Sequence, residues 1–261
     1  MSKDWVISAR AVSKIFGQRK GHRRALHEAV DRTLREPVNQ LWRVSSPESS
    51  NPVLWALRDV SFEIQRGECV GLIGNNGAGK SVLLRVLSRI TRPTQGEADL
   101  MGRVSSVLEV GVGFDRELSG RENIFLQGTI LGMRRREIER KFDEIVEFSG
   151  MAAFLEEPLK TYSNGMLVRT AFAIAAYLEP DILLLDEVLA VADADFQKAC
   201  IAQLRALARA DRTILLVSHD LDLLAQLCSR AIWLEHGRVV GDGTFTSIAE
   251  RYQAHVASNR A

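Results

Sequence analysis

ECVGLIGNNGAGKS, residues 68–81, decides the fold. A short apolar run enters a glycine-rich turn, and the turn opens into KSVLLRVLSRI, residues 80–90, whose apolar spacing predicts a helix. Gly74 to Ser81 fit the pattern G-x-x-x-x-G-K-[ST] between a predicted strand and a predicted helix, the context that pattern needs. Glycines let successive backbone N–H groups converge on phosphate oxygens, and the helix N-terminus adds favourable potential. Gly74, Asn75, Asn76, Gly77, Ala78 and Gly79 form the expected cradle, continued by Lys80, Ser81 and Val82 in the first helical turn. Lys80 is expected to pair with the β- and γ-phosphates, and the Ser81 hydroxyl to ligate Mg²⁺. The stretch reads as a nucleotide site in a P-loop α/β core.

Outward from it, DILLLDE (181–187), TILLVSH (213–219) and AIWLEHGRVV (231–240) read as further buried strands, the last two flanking a helix from Asp220 to about Cys228. VISARAVSKIF (6–16) and ALRDVSFEI (56–64) alternate like strands. GEADLMGRVSSVLEVG (96–111) reads as a small hairpin turning at Met101-Gly102. From Ser119 the period becomes helical, through SGRENIFLQGTILG and RRREIERKFDEIVEFSG, so residues 115–178 read as a helical insertion in a mainly parallel sheet. Asp186 and Glu187 end an apolar strand, where a parallel sheet opens toward its ligand crevice. Asp186 is therefore expected to hold Mg²⁺, and Glu187 to orient or deprotonate the attacking water. His219 ends its strand in the same way and is expected at the γ-phosphate or the attacking water.

YSNGM, residues 162–166, stands before the apolar run LVRTAFAIAAYLEP. Ser163 or Asn164 reads as a helix N-cap, or else Ser163, Asn164 and Gly165 leave the helix N-terminus open for a phosphate. Between the first two strands lies an amphipathic, basic insertion, residues 18–52. It carries seven Lys or Arg against three acids from Gln18 to Val44, and ends in the loop SSPESSNP. It reads either as a membrane- or partner-facing element or as a solvated decoration.

The chain has 261 residues and a net charge of +1, so no global basic field points to nucleic acid. Its three cysteines form no CxxC or metal-ligand spacing, which suits a reducing compartment. No secretory leader and no run of membrane-spanning length is expected.

With these residues in hand, the chain resembles the ATP-binding cassette ATPases over nearly its whole length. Gly74–Ser81 match the Walker A motif, Ile182–Asp186 the Walker B motif, Glu187 the catalytic glutamate, Ala190–Asp193 the D-loop and His219 the switch histidine. YSNGM occupies the signature position. The resemblance implies a RecA-like core with an antiparallel β subdomain and an inserted α-helical subdomain, all one domain from 1 to 261, with 241–261 as a C-terminal tail. It also implies ATP and Mg²⁺ as ligands. Two subunits would sandwich two ATP molecules, each signature completing the site on the other chain, so that Lys80, Glu187 and His219 act catalytically across a dimer seam.

Three features resemble the ATPase subunits of bacterial polysaccharide exporters, which serve capsule, O-antigen and teichoic acid transport. They are the Tyr162 and Met166 ends of the signature, LDEVLAVADADF (185–196), and VLEVGVGFDRELSGREN (107–123). That likeness implies a polytopic membrane permease as partner and polysaccharide, lipid-linked or free, as cargo. It implies a peripheral position on the cytoplasmic face of the bacterial inner membrane, with no nucleic acid partner. After Gly241 no carbohydrate-binding domain of the kind some members carry is expected. Glu109 stands as the counterpart of the Q-loop glutamine at the metal, or as a plain hairpin residue. Phe16 stands in for the adenine-stacking tyrosine, or belongs to the core. A soluble cassette ATPase acting on nucleic acid or ribosomes is the competing reading; such proteins join two cassettes or carry a long coiled coil, and this chain shows neither.

Overall fold

The computed structural model describes residues 5–16, 54–107, 113–177, 180–186 and 194–258. The 18–52 insertion, Glu109, Glu187 and Ala190–Asp193 lie outside the described residues.

A six-stranded sheet carries the molecule, in the order β5 (Val104–Val107), β6 (Ile182–Asp186), β7 (Thr213–Val217), β3 (Cys69–Ile73), β8 (Arg230–Glu235), β9 (Arg238–Thr244). All neighbours run parallel except β8 and β9. Strands β3, β6 and β7 are almost uninterrupted apolar runs because both sheet faces are covered. Cys69, Ile73, Leu183, Leu185, Ile214 and Leu216 point to one face. There they meet Phe172 of α4 (Asn164–Tyr177), Cys200 and Leu204 of α5 (Ala194–Arg209), Leu224 of α6 (Leu221–Leu227) and Ile248 of α7 (Phe245–Ser258). The alternate residues Val70, Leu72, Leu184, Leu215 and Val217 point the other way, onto α1 (Lys80–Leu87) and the antiparallel sheet β2-β1-β4. Strand β1 is Trp5–Phe16, β2 is Leu54–Gln65 and β4 is Gln95–Leu100. This two-sheet α/β arrangement bears out the expected core and antiparallel subdomain.

The inserted helices are α2 (Gly120–Ile130), α3 (Arg135–Ser149) and α4. A capping box between Ser119 and Glu122 starts α2, and Gly150 in the left-handed region ends α3. Their own small core gathers Ile124, Ile138, Phe142, Ile145 and Ile174. Asn123, fully buried, ties the preceding loop: its Oδ1 accepts from Asp115 N–H at 2.9 Å and its amide donates to the Asp115, Leu118 and Ser119 carbonyls.

Two readings of the sequence need correction. Residues 96–111 do not form a hairpin at Met101-Gly102: β4 pairs antiparallel with β1 (Ile7↔Leu100), whereas β5 pairs parallel with β6 (Val104↔Ile182). The turn hands the chain from one sheet to the other. It is tied down by Asp181, whose carboxylate accepts from Arg103 N–H at 2.8 Å. Local alternation cannot distinguish a strand that folds back on its neighbour from one that crosses to another sheet. AIWLEHGRVV is likewise a hairpin, β8–β9, because His236 and Gly237 both take positive φ, as a tight two-residue hairpin turn requires. Residues 245–258, within the segment read as a tail, form α7. Among the described residues, no helix is long and apolar enough to cross a membrane.

Candidate nucleotide-binding site

Strand register gathers the predicted residues. Asp186 of β6 lies opposite Val217 of β7, Val217 opposite Leu72 of β3, and Leu72 opposite Ile232 of β8. Two residues past this row come Gly74, which opens the glycine loop, and His219. Parallel strands thus deliver the loop, the Asp186 carboxylate and the exposed His219 to the same carboxyl edge, where α/β sheets bind ligands.

The loop is set by its packing. A Cβ on Gly74 would overlap the Leu234 carbonyl, and one on Gly79 the Ala56 carbonyl; both residues also take positive φ. Gly79 is the N-cap of α1, and no side chain caps that helix. The N–H groups of its first turn, which lack intrahelical acceptors in any helix, are therefore open to a ligand. A Cβ on Gly77 would meet nothing within 4 Å, so the mouth of the loop is open while its flanks are tight.

Lys80 is only 6% exposed. Its ammonium donates to the Gly74 carbonyl at 2.7 Å and the Asn75 carbonyl at 3.2 Å. A buried cation needs such acceptors, and phosphate oxygens are stronger ones, so the carbonyls hold the ammonium where a phosphate can take it over. Ser81 is exposed beside it. Among the described residues no cluster of three or more His, Cys, Asp or Glu forms a ready-made metal cage. The Asp186 carboxylate and the Ser81 hydroxyl are the kind of oxygen donors that Mg²⁺ takes together with phosphates.

Phe16 closes β1 opposite Leu54 and is 45% exposed, with the Lys14 ammonium 5.4 Å from its ring centroid. Since Ala56, two residues on in β2, abuts Gly79, this strand end lies at the shoulder of the loop. Ser163, Asn164 and Gly165 are elsewhere, at the start of α4. Ser163 Oγ accepts from Met166 N–H at 3.2 Å, so it does cap the helix, yet Ser163 and Asn164 are exposed, and a Cβ on Gly165 would make only an ordinary contact with Ser163 Oγ at 3.8 Å. Tyr162 behind them is buried, its hydroxyl donating to the Phe154 carbonyl at 2.7 Å; burial raises its pKa above the ordinary tyrosine value, with Glu157 and Glu156 adding to it.

One contact had no counterpart in the sequence reading. The Tyr252 hydroxyl of α7 donates to Asn75 Oδ1 at 3.0 Å. Phe245, Ile248, Ala249 and Tyr252 recur at helical spacing, a signal for α7 though not for its target. The scattered cysteines also meet in part. Cys69 and Cys228 lie with Sγ atoms 3.5 Å apart, buried and in no disulfide, and their mutual hydrogen bond together with burial pushes the Cys228 thiol far up, away from the reactive thiolate.

A phosphate loop on this sheet, with a carboxylate and a histidine at the same edge and an inserted helical subdomain, defines an ATPase cassette. Residues 57–190 match the family described as ABC transporter, and the chain belongs to that family of ATP-binding, ATP-hydrolysing proteins. It is 44% identical over 202 residues to the O-antigen export system ATP-binding protein RfbB of Klebsiella pneumoniae, covering 77% of this chain and 82% of that one. It is 42% identical to the ABC transporter protein AbcA of Aeromonas salmonicida, covering 84% and 71%, and 41% identical to the teichoic acids export ATP-binding protein TagH of Listeria monocytogenes serotype 4b (strain F2365), covering 77% and 60%. Among solved structures, an ATP-binding subunit of an ABC transporter superposes with a TM-score of 0.74 at 22% identity, covering 95% of this chain and 93% of that one. The ADP- and phosphate-bound dimer of the cassette MJ0796 gives 0.69 at 20%, covering 92% and 98%. At those identities the superpositions speak for the fold.

Proposed function

We propose that this chain is the ATP-hydrolysing motor subunit of a bacterial polysaccharide exporter of the O-antigen or teichoic acid type, working as a homodimer on the cytoplasmic face of the inner membrane beside a polytopic permease. The export systems named in its relatives support the cargo class. What supports the mechanism is the pairing of a loop with buried Lys80 at one edge of the sheet and a helix N-terminus with exposed Ser163 and Asn164 on the helical subdomain.

In this reading Gly74–Val82 cradle the triphosphate, Lys80 leaves its carbonyl partners for the β- and γ-phosphates, and Phe16 stacks on the base. Ser81 and Asp186 hold Mg²⁺, with Glu109 as a further ligand; the ion would neutralise charge developing on the phosphates. Glu187 accepts the proton of the attacking water, and His219 orients the γ-phosphate. Ser163, Asn164 and Gly165 of the second chain close over that phosphate. Closure is tighter with ATP than with ADP, and that differential contact moves the permease. The single-domain division, with the 18–52 insertion turned toward the membrane or permease, belongs to the same proposal.

Glu187→Gln tests it. This variant should bind Mg-ATP, lose turnover by about a hundredfold or more, and pass from monomer to dimer when ATP is added. A purified Glu187→Gln protein that binds ATP yet stays monomeric at every concentration, alone and with its permease, would sink the two-chain engine.

A further inference from the structure

Asn75 is held from two directions. Inside the loop its carbonyl accepts from Ala78 N–H at 3.1 Å and from the Lys80 ammonium at 3.2 Å. From outside, its Oδ1 accepts from the hydroxyl of Tyr252, a residue 177 positions further along the chain. Asn75 is the hinge between the lysine and the rest of the molecule.

Tyr252 is itself fixed. Phe245, Ile248 and Ala249 bury α7 against the sheet. The Tyr252 ring meets Trp233 edge-on at 5.7 Å, the His255 ring meets Trp233 at 5.1 Å, and His255 Nε2 lies 2.6 Å from Glu235 Oε1. Trp233 and Glu235 belong to β8, and the turn after β8 reaches the loop a second time, Gly237 N–H donating to the Ala78 carbonyl at 2.9 Å. The C-terminal hairpin and helix therefore grip the loop at Ala78 and at Asn75. The intervening Gly77 faces open space.

We propose that Tyr252 is a positioning residue for ATP binding: through Asn75 it holds the phosphate loop, and the resting place of the Lys80 ammonium, in the form that receives the phosphates. A loop already ordered loses less conformational freedom when the ligand arrives, so the hydrogen bond is felt in affinity. Asn75 is exposed, so water replaces the hydroxyl at little cost to the free protein. The inference rests on the nucleotide reading of residues 74–81, which Lys80→Ala tests separately.

The experiment titrates the full chain with a fluorescent ATP analogue and Mg²⁺, and follows steady-state ATPase and thermal unfolding in parallel. Tyr252→Phe keeps the ring on Trp233 and removes only the hydroxyl. It should weaken binding about threefold, the worth of one modest neutral hydrogen bond, and raise KM by a similar factor with a smaller fall in kcat and an unshifted Tm. Asn75→Ala should weaken binding at least as much. Tyr252→Phe added to Asn75→Ala should then change nothing further, because both act through one contact. Wild-type affinity in Tyr252→Phe, additive losses in the double variant, or an affinity loss that tracks a fallen Tm would each overturn the positioning role while Lys80→Ala still abolishes binding. If Lys80→Ala binds the analogue like wild type, the loop is not the nucleotide site, and both readings fall.

Discussion

Two helices of this chain begin with small polar residues and glycine, and their N-termini are built in opposite ways. At α1 the N-cap is Gly79, no side chain caps the helix, Lys80 is buried, and Gly74 and Gly79 are wedged against the backbone of Leu234 and Ala56. At α4 Ser163 caps the helix, Ser163 and Asn164 are exposed, and a Cβ on Gly165 would meet only Ser163 Oγ at 3.8 Å. The first N-terminus is shaped by its own core. The second is capped within its own chain and leaves Ser163 and Asn164 exposed. If both serve one phosphate, as proposed, the difference separates folding from function: a change at α1 should damage both together, and a change at α4 only one.

Gly79→Ala should give the largest effect. The new methyl would overlap the Ala56 carbonyl, and φ of 105° is unfavourable for any residue with a Cβ. A loss of about 3 kcal/mol is expected from strain and overlap together, with nucleotide binding lost alongside. Urea denaturation measures the first and analogue titration the second. Wild-type stability in Gly79→Ala would mean that the loop is not held by these walls.

Gly165→Ala should do the reverse. Gly165 sits in the first turn of α4 with an ordinary helical φ and room for a methyl, so alanine should stabilise the monomer by about 0.5–1 kcal/mol through helix propensity. The same methyl would stand on the face proposed to close over a partner's phosphate. ATPase should fall roughly tenfold, a transition-state penalty of about 1.4 kcal/mol. A variant both more stable and fully active would break the assignment of that face.

The contrast also explains what was legible in the sequence. Gly74–Ser81, Asp186 and His219 could be placed because β3, β6 and β7 are short, doubly covered strands that leave almost no choice of register, and their ends fall together once the sheet is parallel. The hand-over at Met101–Arg103 was not legible, because alternation looks the same whether a strand pairs with its neighbour or crosses to another sheet. The Tyr252–Asn75 contact was not legible either: a helical stripe predicts burial, and which loop its polar tip reaches depends on the packing of α7 over β8. For YSNGM, the choice between cap and phosphate site was never exclusive, since Ser163 Oγ spends its acceptor on Met166 N–H while the outer face of the turn stays exposed.

Tyr162 extends the comparison to what lies behind the exposed N-terminus, where the smallest effect is expected. Its ring packs with Met151, Leu159 and Leu167, its hydroxyl donates to the Phe154 carbonyl, and it lies against the bare Cα of Gly120 at the start of α2. The signature is therefore moored to the GREN helix by a tyrosine. Tyr162→Phe should lower stability by about 1 kcal/mol, the net worth of one such hydrogen bond. It should also change the alkaline limb of the stability curve. Because burial raises the Tyr162 pKa, the unfolded chain releases its proton first as the pH climbs through about 10. The folded state then binds more protons than the unfolded state, so stability falls with rising pH, and phenylalanine removes that contribution. Tyr177, raised by burial in the same direction, remains, so the slope should shrink without vanishing. Urea midpoints measured from about pH 9 to 11 decide the matter: an unchanged slope in Tyr162→Phe would assign the alkaline loss to Tyr177, and leave the signature moored by packing rather than by its hydroxyl.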